Sequence, residues 1–195
     1  MDAITKSDKE LVESYLHGNH ASFEQLVNRH QSRVFSYILM LVKDRQLADD
    51  LFQDTFIKII RTIKSGAYKE EGKFIQWAMR IAHNLIIDHF RKSKRIPYSD
   101  KSSEDILLTN SKEYAEDSVE YQIVTEQIHQ DIRKMIDYLP YEQREVLYLR
   151  MYEDVSFKEI AEMTNVSINT ALGRMRYALI NMRKMVKEKN VSITY

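Results

Sequence analysis

Two short stretches of this chain carry side chains suited to holding nucleic acid. Gln76, Arg80, Asn84, Asp88, Arg91 and Arg95 recur at steps of four, four, four, three and four, which sets them along one face of a helix. Such a helix has an apolar back and a basic, hydrogen-bonding front. Tyr68 precedes that helix, with Lys73, in and beside a loop bounded by Gly66 and Gly72, and Trp77 and Lys92 belong to the same stretch. An aromatic ring beside a basic groove suits single-stranded DNA, whose unstacked bases need a surface to stack on. Nearer the C-terminus, Asn169, Thr170, Gly173, Arg174, Arg176 and Tyr177 fall on one side of a second helix, with Ser167 placed to cap it. That set of donors and acceptors fits a major groove. Each stretch also has a plainer reading, as the solvated basic front of an ordinary amphipathic helix.

Asp49, Asp50, Gln53 and Asp54 gather on a third polar face. Grouped carboxylates can bind a metal, but no His lies within four residues of them. They can also simply face water; docking onto a basic partner surface is the better functional reading. His83 and His89 are six apart, about 600° of helical turn, and so point to different sides. His17 and His20 are expected on one helix face but lack a third ligand. There is no Cys, which excludes disulfides, thiolate zinc sites and thiol catalysis. No HExxH, Walker loop or nucleophile elbow occurs either. No metal, cofactor or enzymatic activity is expected.

The elements that must position these residues read as helices. The chain has 195 residues with only 4 Gly and 2 Pro, too few breakers for the many tight turns of a β-sandwich or barrel. One helix is expected over 11–27, bent or broken near Gly18, and a second over 34–42. A third spans 47–63, where Leu47, Leu51, Thr55, Ile59 and Ile63 recur every four residues. A fourth spans 74–90, with Phe74, Trp77, Ala78, Ile81, Leu85 and Ile86 on its apolar side. Periodicity fails after Pro97 and resumes over 119–138. Leu139-Pro140 then breaks the chain, and helices follow over 142–152, 157–163 and 168–187.

Ser156-Phe157-Lys158-Glu159 is a capping-box pattern, with Val155 and Ile160 placed as a hydrophobic staple. Asn165 suits the left-handed turn that follows, and Ser167 the next cap. A short helix, a tight turn and a capped second helix describe a helix-turn-helix. In that second helix Ile168, Leu172, Met175, Leu179, Met182 and Val186 follow alternating four- and three-residue steps, and a helical wheel turns them to the core as one stripe.

Net charge is zero, yet its distribution is uneven. Residues 72–96 carry six cations against one anion, 97–131 carry two against nine, and 167–189 carry six against one. Two basic patches separated by an acidic strip can grip phosphates in two places while the total stays neutral. The polar first ten residues lack the apolar core of a signal peptide, and no apolar run approaches the roughly 20 residues that cross a bilayer. A cytoplasmic protein without membrane insertion is expected. The fold class expected is all-α: two small helical domains joined by a flexible acidic linker, the C-terminal one containing a helix-turn-helix. The boundaries expected are 1–96, 97–118 and 119–195.

At this point the sequence resembles the extracytoplasmic-function class of bacterial sigma factors. The resemblance rests on the run Asp49 to Phe56, the run Gly72 to Trp77, Arg80-Ile81-Ala82-His83-Asn84, Asp88 and Arg91-Lys92. In the C-terminal half it rests on Leu139-Pro140, Arg144-Glu145-Val146-Leu147 and Ser156 to Ala161. It covers nearly the whole chain in order. The resemblance implies that Asp49, Asp50, Gln53 and Asp54 dock on core RNA polymerase. It implies that the 65–73 loop and the helix after it hold the melted, single-stranded promoter −10 element. Asn84 would help form a pocket for a flipped-out base, with Arg80 and Arg91 holding nearby phosphates, and the helix-turn-helix would read the −35 element as duplex. An anti-sigma factor is a further partner of this class. The chain departs from the family's Gly-Thr-Val-Lys-Ser-Arg run, reading Asn169-Thr170-Ala171-Leu172-Gly173-Arg174. A stand-alone helix-turn-helix regulator is the alternative, but it leaves the N-terminal basic helix and the acidic cluster without a task.

Overall fold

The structure, a computed structural model, describes residues 6–69, 72–93 and 132–188. Every regular element among them is helical, and the chain divides into two compact units, Met1–Ile96 and Pro97–Tyr195. The acidic segment expected over 97–118 lies outside the described residues, as do Arg95 and the first part of the 119–138 periodicity.

The N-terminal unit holds α1 (Asp8–Leu16), α2 (His20–Val42), α3 (Arg45–Lys64) and α4 (Phe74–Ser93). The break expected near Gly18 is present, but the remainder of the 11–27 stretch joins the 34–42 one in a single helix. Gly18 adopts φ +94° and ends α1, whereas residues 28–33 carry no breaker, so α2 runs unbroken through both stretches. His17 and His20 therefore flank a break instead of sharing a helix face. α1 opens on a capping box: the Ser7 amide and hydroxyl donate to Glu10 at 2.7 and 2.8 Å, which holds that carboxyl below its ordinary range. α1 is fastened to α2 through Asp8, which accepts from Arg29 Nη1 at 2.6 Å and lies 2.8 Å from His30 Nε2. His30 is buried, and desolvation pulls its pKa below the ordinary histidine value against the opposing pull of Asp8. Leu26, Tyr37, Ile38, Ile59, Phe74 and Met79 anchor the core that α2, α3 and α4 share.

The C-terminal unit is smaller. After a helical stretch over 132–137 come α5 (Tyr141–Met151), α6 (Phe157–Met163) and α7 (Ile168–Glu188). α5 is central and buries seven of its eleven residues. Among them are Arg144 and Glu145, each 1% exposed. Arg144 Nη2 donates to the Leu139 carbonyl at 3.2 Å, tying α5 to the turn that precedes it. Burial lowers the Arg144 pKa and raises that of Tyr141, the latter helped by Glu145 and Glu142. Ile136, Leu139, Leu147 and Ala178 form the core, with Met175, Met182 and Met185 packed against it. No helix among the described residues is long and apolar enough to cross a membrane.

Candidate nucleic-acid interface

α4 separates its two faces cleanly. Phe74, Ala78, Ile81, Ala82 and Ile86 are buried, while Arg80, Asn84, Arg91 and Lys92 are exposed. Asp88 is half-buried and accepts from Arg91 at 3.0 Å, an exposed pair of small energetic weight. The stripe is less uniform at its start. Gln76 is half-buried, and its carbonyl oxygen is enclosed without a hydrogen-bond partner. Trp77 and Leu85, expected on the apolar side, are half-buried.

Tyr68 and Trp77 come together. Their rings stack with centroids 3.9 Å apart at 28°, and Phe74 meets both, edge-on to Tyr68 at 6.2 Å and tilted to Trp77 at 5.8 Å. Gly66 and Gly72 both sit at positive φ, +71° and +76°, a backbone that side-chain-bearing residues rarely adopt. These glycines turn the loop so that Tyr68 lies back on the start of α4. Lys73 is exposed at the same end. The result is a basic front with an aromatic floor at one extremity, the combination that unstacked bases need.

On α3, Asp49, Asp50, Gln53 and Asp54 are all exposed, opposite a buried face of Ala48, Leu51, Thr55, Ile59 and Ile63. The hydroxyl of Thr55 donates to the Leu51 carbonyl at 2.6 Å, which lets a polar residue sit in the apolar stripe. Ile57 is a further exposed residue of α3, absent from the expected docking set. It is 44% exposed and, by helical spacing, shares the face of Asp50 and Asp54. Its signal was a large aliphatic residue out of step with the buried stripe. No group of three or more potential metal ligands exists among the described residues.

The helix-turn-helix has the local chemistry its sequence implies. The Ser156 hydroxyl accepts from the Glu159 amide at 3.3 Å, and the Glu159 carboxylate accepts from the Ser156 amide at 3.2 Å. Val155 and Ile160 are fully buried. Asn165 adopts φ +54° in the turn, and the Ser167 hydroxyl accepts from the Thr170 amide at 3.0 Å. Ser167, Asn169, Thr170, Arg176 and Tyr177 are exposed, and Gly173 and Arg174 are half-buried. Arg174 leans toward Tyr141, whose hydroxyl it influences electrostatically.

The apolar stripe expected on α7 is only partly its buried face: Met175 and Met182 pack against the core, whereas Ile168, Leu172 and Leu179 do not. Only Ala171 and Ala178 are buried on this helix, with Met175, Met182 and Met185 partly so. Ile168, Leu172 and Leu179 are 46%, 44% and 38% exposed. Ala171 and Ala178, flanked by Met175, Met182 and Met185, occupy the face turned to the core, so Ile168, Leu172 and Leu179 fall at its margin. Leu172 accordingly belongs to the surface.

The chain matches two family models, "Sigma-70 region 2" over residues 26–96 and "Sigma-70, region 4" over 129–176. It is 30% identical to the RNA polymerase sigma-H factor of Pseudomonas aeruginosa, covering 87% of this chain and 89% of that protein. It is 27% identical to the ECF RNA polymerase sigma-E factor of Haemophilus influenzae, covering 94% and 95%. In fold it is similar to the Bartonella quintana sigma factor RpoE, solved in complex with the anti-sigma factor NepR. There the TM-score is 0.62 at 19% identity, over 85% of this chain and 96% of that one.

Proposed function

The chain belongs to the extracytoplasmic-function class of RNA polymerase sigma factors, and from that premise we propose how its two units share the work of promoter recognition. As a sigma factor it binds core RNA polymerase and directs it to promoters. In this reading α3 docks on the polymerase through Asp49, Asp50, Gln53 and Asp54, with Ile57 as an apolar contact between the carboxylates. α4 and the loop before it take the unwound −10 strand. Arg80, Arg91, Lys92 and Lys73 hold phosphates, Asn84 pairs with an extruded base, and Tyr68 and Trp77 offer ring faces. α7 enters the major groove of the −35 duplex with Asn169, Thr170, Arg174, Arg176 and Tyr177, and Ser167 and the α7 N-terminus lie toward phosphate.

The observation that carries this division is the outward placement of Arg80 and Asn84 on α4, and of Asn169, Thr170 and Arg176 on a capped α7, each on its own core. A stand-alone helix-turn-helix regulator would leave the exposed faces of α3 and α4 idle, and the region 2 match over 26–96 counts against it. The reading further entails a protein that works beside the polymerase in the cytoplasm and catalyses nothing itself. It also proposes an anti-sigma protein as its regulator.

The test is reconstituted transcription with core RNA polymerase over a randomised promoter library. Asn84→Ala should reduce open-complex formation more than duplex binding, and Arg176→Ala should do the reverse. Equal losses in both assays would defeat the division of labour.

A further inference from the structure

We propose that Leu172 reads the methyl group of a thymine in the duplex that α7 enters; this rests on the assignment of α7 to the −35 element. Leu172 is 44% exposed and Ile168, one turn earlier, is 46% exposed, with Arg176 one turn later also at the surface. The three form a single ridge at i, i+4 and i+8. The ridge starts at a helix end fixed by Ser167, beside the polar residues Asn169 and Thr170. An aliphatic side chain has no donor for phosphate and none for a guanine or adenine edge. The one apolar group that the four bases present in the major groove is the thymine C5-methyl. A leucine turned outward on a groove-entering face therefore has one partner there to reward its burial.

Contact with a methyl group needs close approach, within about 4 Å, and the next residue supplies the room. Gly173 has no side chain, and a Cβ built there would meet nothing within 4 Å. The helix is thus bare about 100° round its axis from Leu172, on the polar side of Arg176, where a duplex can come close to the backbone. The competing occupant is a protein. Leu172 also lines an open groove with Phe157, Met175, Arg176 and Leu179, and a partner helix could cover it. The chemistry of the ridge favours DNA, because Leu172 lies at the margin of the polar face, one turn from the exposed Arg176 and three residues from the exposed Asn169, within reach of a duplex that those residues grip.

The experiment uses holoenzyme assembled from the full chain and core RNA polymerase. A −35 sequence is first selected from random duplexes, and each selected thymine is then replaced by deoxyuridine, which lacks only the methyl. Wild type should lose about fourfold in affinity at one thymine, the value of one buried methyl-sized group. Leu172→Ala should bind thymine and uracil duplexes alike, whereas Leu179→Ala should keep the difference. Uracil tolerated at every position by wild type would overturn the inference, as would a Leu172→Ala holoenzyme that keeps the full sensitivity. If Leu172→Ala leaves the selected sequence unchanged and weakens core binding, Leu172 serves a protein contact and the inference falls. A wild type that selects no −35 sequence at all would defeat the underlying assignment, a separate and recognisable result.

Discussion

α4 and α7 have nearly the same length and the same general design, a basic front on an apolar back, but they are held in opposite ways. α4 buries eight residues, among them Phe74, Met79 and Ile86, against two long neighbouring helices. α7 buries only Ala171 and Ala178 and leaves Ile168, Leu172, Leu179 and Ile180 in water. A helix wedged by large side chains has its front fixed by the core, which suits a site that must hold extruded bases in set places. A helix laid on alanines has its rotation set by backbone proximity, and its aliphatic residues become available to a ligand. The contrast leaves α7 with exposed apolar residues at the margin of its polar face, which α4 has fewer of.

The largest expected effect breaks the tightly packed side. Phe74→Ala should destabilise the N-terminal unit by about 3–5 kcal/mol, as the loss of a fully buried aromatic does. Trp77 is the only tryptophan in the chain, so its fluorescence follows this unit alone during denaturation. A loss below about 1 kcal/mol would mean that α4 is not wedged as described. Next comes the opposite change on the other side. Ala178→Leu should cost the C-terminal unit about 1–3 kcal/mol by overpacking, read by hydrogen exchange of the α5 and α7 amides. A neutral outcome would show that α7 does not lie closely on its neighbours.

The same contrast explains what could be read from the sequence. Most helix positions, the capping box at Ser156 and the turn at Asn165 were legible because each depends on residues within one turn of the chain. The buried face of α4 was legible because its core residues are large and spaced with the helical period. The buried face of α7 was legible only in part: a wheel weighted by side-chain size selects Met175 and Met182, which pack against the core, together with Ile168, Leu172 and Leu179, which do not, and it passes over the buried Ala171 and Ala178. Arg144 and Glu145 entered only as part of the run that carries the family resemblance. Their burial in α5 depends on tertiary neighbours such as the Leu139 carbonyl, which no local pattern announces. The Tyr68–Trp77 stack joins a loop to a helix nine residues on, and needed the positive φ of Gly66 and Gly72 to become visible.

A smaller effect is expected from pH, and it separates the units again. The folded pKa of His30 lies below its ordinary value because the ring is buried, so between that value and about 6.5 the unfolded chain binds the extra proton. The stability contributed by neutral His30 is therefore present above about pH 6.5 and lost as pH falls toward the folded pKa. Its geometry agrees: Nε2 faces Asp8, while Nδ1 is buried without a partner and would be left with an unsatisfied N–H on protonation. Urea midpoints followed through Trp77 should drop on mild acidification, and His30→Gln should flatten that slope. No comparable slope is expected in the C-terminal unit, which has no histidine among its described residues.

The smallest effect is the one that sharpens the comparison most. Gly173→Ala adds a Cβ that meets nothing within 4 Å and relieves a glycine from the interior of a helix, so the C-terminal unit should gain up to about 1 kcal/mol. A glycine that costs stability and has open space around it can still serve by its absence of bulk. If what it serves is approach to the duplex, the stabilised variant should bind its −35 element more weakly than wild type while binding core polymerase equally well. Gly173→Ala that is both more stable and undiminished on DNA would show that α7 stands further from the bases. It would also remove the clearance on which the contact of Leu172 depends.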